Sequence, residues 1–390
     1  MRPRARGTTP RPRMQFFATA AKGTEPALRD ELRELRLAGV RADRGGVHFE
    51  GERRAAYRAC LWSRIALRVL APLATFDAPD EGRLYAGVRS VELDDVLDPS
   101  RTLVVSAACR SSRLTHTGYL CQLTKDAVVD RIRDRAGARP SVDKRNADVH
   151  LFLHLVKDVA TLYLDFAGQS LHERGLREPS AVAPLRETLA AAVVRYSGWD
   201  RKSAFVDPAC GSGTLLLEAG LWAKNVAPGL SREAFGFERW VGFDGAERRA
   251  MDELREEARA AVRSEVPLLV GRDVSEPALA LVRKSATRAG LGVRLALGGL
   301  AAAEEPTAGA IVANPPYGRR LERPAELARD LSRLVDRHPA AAVAFLMAEE
   351  QPMGHTRRRP QAPRELFNGD IRCVLRSWAP LREKAPDGVV

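Results

Sequence analysis

The first half of the chain mixes two short-range patterns of apolar residues. Residues 24–38 carry apolar side chains at helical spacing, whereas residues 46–50 alternate between apolar and polar as a β-strand does. Further along, residues 149–156 and 159–166 look like paired strands, and a tight turn is predicted between them. Short helices and strands in mixed order predict a small α+β region.

A different pattern follows residues 168–184, a polar stretch with glycine and proline at both ends that predicts a linker. Segments of strand length then alternate with longer segments of helical spacing. This alternation predicts a doubly wound parallel sheet, so the expected fold class is α/β, with a Rossmann-like C-terminal domain behind the α+β region. The longest apolar run, residues 340–348, is too short to cross a membrane and predicts a buried strand.

Composition adds a hint about the partner and the compartment. The 390 residues include 62 Lys+Arg and 50 Asp+Glu, a net charge of +12, and such an excess favours nucleic acid as partner. The five cysteines are scattered without a C-x-x-C pair, which argues against disulfides and a cysteine zinc site and favours the reducing cytoplasm. Residues 1–13 are rich in arginine and lack the apolar core of a secretory signal, so they predict a disordered basic arm, or an extension before a start at Met14.

A glycine-containing turn joins the predicted strand 204–207 to the predicted helix 214–224, and its residues 207–214 read Asp-Pro-Ala-Cys-Gly-Ser-Gly-Thr. Leu216 replaces the third small residue of a dinucleotide turn, and the Gly-Lys-Ser/Thr of a P-loop is absent. An acidic strand end followed by bare backbone suits a cationic ligand without a pyrophosphate, which predicts S-adenosylmethionine. The alternative is an ordinary strand-to-helix turn. The predicted cofactor-binding residues of this turn are Asp207, Ala209, Gly211, Gly213 and Thr214.

A second motif, Asn314-Pro315-Pro316-Tyr317, follows an apolar strand. The two prolines fix the backbone and remove two N–H donors, so the Asn side chain and the following carbonyl are both offered as acceptors. Tyr317 can stack on a planar ring. The exocyclic amino group of a base needs such acceptors because its lone pair is delocalised into the ring. Asn314, Pro315 and Tyr317 are therefore the predicted catalytic residues; the alternative is a Pro-Pro turn that ends a strand.

A third candidate is Asp273, at the end of the next strand after the glycine turn. An acid at that place can hold both hydroxyls of an adenosine ribose. It can equally cap the following helix, and spacing alone does not separate the two interpretations.

The two motifs together resemble the class I amino-methyltransferases that act on bases. The match widens at residues 170–175, 183–187, 227–230 and 314–321, where the sequence resembles the THUMP-domain guanine-N2 RNA methyltransferases, in particular the bacterial enzymes that modify large-subunit (23S) rRNA. The resemblance extends from about residue 15 to residue 378. It implies a basic arm (1–13), a ferredoxin-like domain (14–75), a THUMP RNA-binding domain (76–168), a linker (169–184) and an S-adenosylmethionine-dependent methyltransferase domain (185–390).

The resemblance also implies roles for single residues. Asp207, Gly211 and Gly213 would line the methionine and sulfonium end of the cofactor, Asp273 would take the ribose, and Glu187 would help to close the pocket. Many relatives carry an acid that contacts the adenine after the strand equivalent to residues 293–297. In this sequence Gly-Gly-Leu-Ala follows Leu297, and no acid appears before Glu304.

We therefore expect an enzyme that transfers a methyl group from S-adenosylmethionine to N2 of a guanine. The expected partner is 23S rRNA or a large-subunit assembly intermediate, with no metal, no membrane and a cytoplasmic location. Three alternatives remain open: a tRNA guanine-N2 methyltransferase, a DNA adenine-N6 methyltransferase, and an RNA-binding assembly factor whose methyltransferase domain is vestigial.

Overall fold

The computed structural model describes residues 13–176, 185–300, 309–316 and 323–381, so all but the last residue of the predicted basic arm lies outside the described residues. The chain forms two β-sheets, one in each half. The first half is an α+β region, and the second half is a Rossmann-like doubly wound domain. The predicted fold class is confirmed.

The described N-terminal half forms one mixed sheet with four helices. The strand order is β2-β3-β1-β4-β8-β7-β5-β6, and β4 pairs antiparallel with β8, so the two predicted N-terminal regions share a continuous sheet. The elements are β1 (Met14–Thr19), α1 (Glu25–Glu34), β2 (Ala38–Asp43), β3 (Gly46–Gly51), α2 (Arg53–Trp62), β4 (Arg68–Asp77), α3 (Glu81–Arg89), β5 (Thr102–Arg110), α4 (Thr117–Ala136), β6 (Ser141–Val142), β7 (Val149–Val156) and β8 (Val159–Asp165).

Local sequence explains the predicted hairpin of β7 and β8. Alternate residues of β7 are buried, beginning with Val149, as the apolar alternation predicts. Lys157 and Asp158 form the connecting turn with φ of 52° and 61°. Two successive residues with positive φ make the tight turn whose twist matches that of the flanking strands, so the pairing predicted from sequence is confirmed.

The described C-terminal half forms a seven-stranded sheet in the order β11-β10-β9-β12-β13-β15-β14. The five strands from β11 to β13 run parallel, and β15 is antiparallel to both of its neighbours. The elements are α5 (Glu187–Tyr196), β9 (Ala204–Asp207), α6 (Thr214–Ala223), α7 (Gly245–Ala260), β10 (Leu269–Asp273), α8 (Glu276–Arg288), β11 (Arg294–Leu297), β12 (Gly309–Ala313), α9 (Pro324–Arg337), β13 (Ala342–Ala348), β14 (Arg364–Asn368) and β15 (Ile371–Trp378).

The order of these strands decides where a ligand can bind. From β9 the chain continues outward to β10 and β11, and it then returns to the other side of β9 with β12 and β13. Connections that leave in opposite directions open a crevice between β9 and β12, at the carboxyl ends of the strands. Both predicted motifs directly follow these two strands, so the topology brings them to the same crevice.

One of the hydrophobic clusters contains residues from both halves. Residues between α6 and β10 pack into the core of the N-terminal half, and Phe237 stacks on Tyr57 with ring centroids 4.0 Å apart. The Tyr57 hydroxyl also donates a hydrogen bond of 3.0 Å to Glu247 on α7. Arg54 on α2 pairs with Glu253 and Glu257 on α7. This segment of the second half therefore ties the N-terminal sheet to the Rossmann-like domain.

The described first part of the predicted linker, residues 168–176, is packed against both halves. A Cβ atom at Gly168 would lie 2.9 Å from Cα of Gly236, so the two backbones touch. Arg174 is 3% exposed and forms a buried ion pair with Glu218 on α6. Its guanidinium also donates to the backbone carbonyl of Arg64, between α2 and β4. The polar composition of this segment therefore corresponds to a buried charged junction, in which the Arg174 guanidinium is paired with Glu218 and with the Arg64 carbonyl.

Candidate active site

A cavity of about 560 Å³ opens at the carboxyl ends of β9, β10 and β12. This volume is in the range of about 300–1,000 Å³ that is usual for small-molecule sites. The cavity is lined by both predicted motifs and by residues from more distant segments: Leu185, Asp207, Pro208, Ala209, Cys210, Gly211, Ser212, Thr214, Leu215, Asp273, Val274, Ser275, Ala278, Leu281, Gly298, Gly299, Leu300, Asn314, Pro316, Leu327 and Asn368.

The two glycines of the turn after β9 meet different requirements. Gly211 has φ of 51°, and a Cβ atom there would meet nothing within 4 Å, because it would occupy open space at the cavity. Gly213 has φ of 83°, and a Cβ atom there would lie 2.9 Å from the Val282 side chain on α8. Gly211 thus leaves room for a ligand, whereas Gly213 permits close packing of the turn on a helix. Gly213 does not line the cavity.

Two acids mark the strand ends at the cavity. Asp207 is 2% exposed, and its Oδ1 accepts a hydrogen bond of 3.2 Å from the backbone of Ala209. Oδ2 of Asp273 accepts a hydrogen bond of 2.8 Å from the backbone N–H of Gly211, and Oδ1 accepts one of 2.9 Å from the backbone N–H of Ser275. Both oxygens of Asp273 therefore shape the turn around the cavity, and each oxygen retains a further lone pair for a ligand hydroxyl.

Cys210 lies in the same turn and lines the cavity. Burial raises the pKa of this thiol well above its usual range, and the carboxylates of Asp207 and Asp273 raise the pKa further. The thiolate is the nucleophilic form of cysteine. This environment therefore favours the neutral thiol of Cys210 over the thiolate.

The Asn314 motif faces the cavity from the end of β12. Asn314 Oδ1 is buried and has no hydrogen-bond partner among the described residues. An orphaned buried acceptor is unusual in a protein and calls for a donor, which a ligand can supply. Pro315 is buried and Pro316 lines the cavity. Tyr317 lies outside the described residues, so its predicted stacking role stays a prediction.

Glu187 and Thr214 lie at the inner side of the glycine turn. Thr214 lines the main cavity, whereas Glu187 lines a small neighbouring cavity together with Thr214, Arg174 and Glu218. The negative charge of Glu187 contributes to the raised pKa of Glu218, which is due mainly to burial. Glu187 therefore lies behind the cavity wall, and its predicted role at the cofactor stays a prediction.

Several lining residues were not identified from the sequence. Val274, Gly299 and Leu300 form a largely apolar wall beside Asp273, on the side where the sequence lacks the expected acid. Leu185 and Asn368 reach the cavity from the start of α5 and from the β14–β15 hairpin. No local motif marks these positions. Glu304 lies outside the described residues.

Two negative findings concern the described residues alone. There, no group of three or more His, Cys, Asp and Glu side chains is arranged to hold a metal ion. None of the helices in those ranges is both long enough and apolar enough to cross a membrane.

Three family models match the chain in succession. Residues 15–70 match the RlmL ferredoxin-like domain, residues 78–165 match the THUMP domain, and residues 174–377 match UPF0020, described as an RMKL-like methyltransferase domain. The last match covers more than half of the chain, and it contains all of the described cavity residues.

Curated relatives and solved structures agree with these matches. The chain is 40% identical over 381 residues to the ribosomal RNA large subunit methyltransferase K/L of Syntrophotalea carbinolica, covering 93% of this chain and 53% of that protein. It is 38% identical over 372 residues to the protein of the same name from Methylococcus capsulatus, covering 92% of this chain and 50% of the relative. The chain thus spans about half the length of the curated relatives it matches.

Two solved structures superpose on nearly the whole chain. SMU.472, crystallised in complex with SAH, has a TM-score of 0.84 at 28% identity, with 97% of this chain and 100% of SMU.472 covered. A Listeria monocytogenes protein described as a predicted N6-adenine-specific DNA methylase has a TM-score of 0.81 at 29% identity, with coverage of 95% and 97%. With its ferredoxin-like and THUMP regions in front, the chain belongs to the UPF0020 family of RMKL-like methyltransferase domains.

Proposed function

We propose that this chain is an S-adenosylmethionine-dependent RNA methyltransferase whose target is N2 of a guanine in large-subunit rRNA. The observation that carries the proposal is the buried Oδ1 of Asn314, an acceptor without a donor, on a cavity that also holds the acidic strand ends Asp207 and Asp273. The names of the curated relatives support rRNA as the substrate. A cytoplasmic location follows from such a substrate in bacteria.

The cavity suits S-adenosylmethionine in chemistry as well as in size. The ligand is cationic at its sulfonium and amino groups, and the buried carboxylate of Asp207 complements that charge. The open space at Gly211 accommodates a ligand against the backbone. Asp273 is at the strand end suited to a ribose, and the apolar wall of Val274 and Leu300 suits the adenine ring. The complex of SMU.472 with SAH supports this choice.

When bound, S-adenosylmethionine supplies a methyl group activated by its sulfonium. The residues of this chain act on the amino group that receives it. Asn314 Oδ1 and the Pro315 carbonyl would accept hydrogen bonds from the two N–H groups, which localises the nitrogen lone pair for attack on the methyl carbon. Transfer would break the sulfonium S–C bond and leave S-adenosylhomocysteine, and the methylated nitrogen would lose one of its protons to solvent. In this proposal Tyr317 stacks on the target base and keeps it unstacked from the neighbouring bases of the RNA. Fixed acceptors and the positioning of the base supply the catalysis, and the proposal needs no covalent intermediate.

The N-terminal half presents the RNA in this proposal. Its matches to the RlmL ferredoxin-like and THUMP models support the division into residues 14–75 and 76–168, with the methyltransferase domain at 185–390. The Asn314 motif alone could serve any exocyclic amine, so adenine N6 is the main alternative target atom. The description of the Listeria protein as a predicted N6-adenine-specific DNA methylase is consistent with that alternative. Guanine in tRNA is the second rival.

The test is methyl transfer by the full chain with tritium-labelled S-adenosylmethionine. Unmodified 23S rRNA, tRNA and duplex DNA are offered separately, and each is digested to nucleosides and separated by chromatography. We expect label in N2-methylguanosine from 23S rRNA. Label in N6-methyladenosine, label mainly in tRNA, or no transfer to any nucleic acid contradicts the proposal. A Glu350→Gln variant, which is changed at an exposed position, is purified in the same way and controls for activity lost during preparation.

A further inference from the structure

Gln351 contacts the Asn314 turn from the segment that follows the neighbouring strand β13. It follows β13 by three residues, is 6% exposed, and its Nε2 donates a hydrogen bond of 3.3 Å to the carbonyl oxygen of Pro316. The amide orientation is fixed by this contact, because only the NH₂ group of a glutamine can donate to a carbonyl. No sequence motif marks Gln351, and it does not itself line the cavity.

The two prolines limit how the described part of the turn, residues 314–316, can be anchored. Pro315 and Pro316 have no N–H, so neither residue can anchor the turn by donating a hydrogen bond. Among the described residues, the bond from Gln351 is the only side-chain hydrogen bond to residues 314–316. Within the described residues 314–316, this bond is therefore the side-chain contact that orients the Pro316 carbonyl.

The same amide has an unfavourable feature. Gln351 Oε1 is buried and has no hydrogen-bond donor among the described residues. A buried acceptor without a donor costs free energy in the folded state. An apolar side chain of the same length would fill the space without that penalty. Stability therefore does not explain why a glutamine occupies this position. Because the position is next to the candidate active site, a functional role can explain it.

We propose that Gln351 is a positioning residue for methyl transfer. By holding the Pro316 carbonyl, it fixes the turn so that Asn314 Oδ1 and the Pro315 carbonyl are aimed at the amino group of the base. The inference rests on the proposed function, since it deepens the account of the same site. Gln351 acts through the turn and touches neither the cofactor nor the reacting atoms.

The test is Gln351→Met in the full chain, because methionine matches glutamine in length and lacks the donor. We expect kcat for methyl transfer to fall by about 10- to 100-fold, as displaced catalytic groups cause. The KM for RNA and the Kd for S-adenosylhomocysteine should stay within about twofold of wild type. The Tm should be unchanged or higher, because the orphaned acceptor is removed. A merely structural glutamine would give a lower Tm instead.

The outcomes separate this inference from the proposed function. If the wild-type enzyme transfers no methyl group to RNA, the proposed function is refuted. If the wild type is active and the Gln351→Met variant has the same kcat, only the positioning role of Gln351 is refuted. A variant whose Tm and cofactor affinity fall together with kcat would also overturn it, since Gln351 would then serve folding. Gln351→Leu repeats the test with a second apolar side chain, and Glu350→Gln controls for a change at the exposed neighbouring position.

Discussion

Asp273 Oδ2 accepts a hydrogen bond of 2.8 Å from the backbone N–H of Gly211, which connects the end of β10 to the glycine turn after β9. Gly211 has φ of 51° there, a conformation that leaves its N–H pointing at the carboxylate and its α-carbon open to the cavity. The other oxygen of Asp273 accepts from Ser275 at the start of α8. The acid thus shapes the wall of the cavity, and its proposed role is to bind the ribose of the cofactor.

The first prediction concerns this acid. Asp273→Ala should weaken S-adenosylhomocysteine binding roughly 10- to 100-fold, because a hydrogen bond to a charged group contributes about 1.5–3 kcal/mol. Isothermal titration calorimetry measures the change. Asp143→Ala is the matched control, since Asp143 accepts from the backbone N–H groups of Arg145 and Asn146 far from the cavity. Equal affinities for the wild type and Asp273→Ala would exclude Asp273 from the cofactor site.

The second prediction separates the two glycines. Gly211→Ala places a methyl group in open space at the cavity, so it should lower cofactor affinity at a stability loss of about 1–2 kcal/mol for the positive φ. Gly213→Ala adds a clash with Val282 at 2.9 Å to a φ of 83°, so it should destabilise the fold by more than that. Urea unfolding and calorimetry on both variants test the order. The reverse order of stability loss would show that the turn is packed differently.

The third prediction concerns the side-chain amide of Asn314, for which a catalytic role is proposed. Asn314→Ala should reduce kcat by about 10²-fold or more, the range seen when a hydrogen-bonding group is lost from a transition state. Cofactor affinity should change little, because Asn314 Oδ1 is proposed to meet the base. The measurements are tritium transfer to RNA and S-adenosylhomocysteine titration. An Asn314→Ala enzyme with wild-type turnover would refute the assigned role.

The fourth prediction concerns the buried ion pair of Arg174 and Glu218, whose side chains are 2% and 3% exposed. Glu218→Ala should lower the free energy of unfolding by about 3–5 kcal/mol, because the guanidinium is left buried without its partner. Glu256→Ala removes an exposed partner of Arg259 and should change stability by less than about 1 kcal/mol. Chemical denaturation of both variants gives the comparison, and similar losses would contradict the burial argument.

The fifth prediction is a pH dependence of stability. Burial, with the nearby positive charges of Arg68 and Arg239, lowers the pKa of His150 to about 4. An unfolded histidine titrates near 6.5, so between about pH 4 and 6.5 the unfolded chain binds more protons. This histidine therefore contributes stability that is present above about pH 6.5 and is lost as the pH falls toward 4.

His150→Asn should flatten the dependence between these two pH values. Urea midpoints of the wild type and the variant at several pH values measure it. His48→Asn, at a half-buried histidine of β3, is the control substitution. An unchanged slope in His150→Asn would assign the pH dependence to other groups.

Local sequence predicted the elements that local patterns encode. The alternation of β7 and the chain reversal at Lys157 and Asp158 were predicted, and the glycine turn lies between β9 and α6 as expected. These features depend on a few consecutive residues, because side-chain period and backbone conformation are decided over short distances. The position of Asp273 at a strand end was predicted for the same reason.

The sequence by itself thus determined the succession of strands and turns along the chain. It also determined the two chemical motifs, because the residue types in them carry their own chemistry. Only the tertiary structure decided that Asn368 and Leu185 share a cavity with Asp207 and that Gln351 donates a hydrogen bond to the Pro316 carbonyl. It also decided that the segment between α6 and β10 packs into the N-terminal core. The physical reason is strand order: contacts between residues far apart in the chain follow from which strands lie side by side, and apolar periodicity carries no information about that choice.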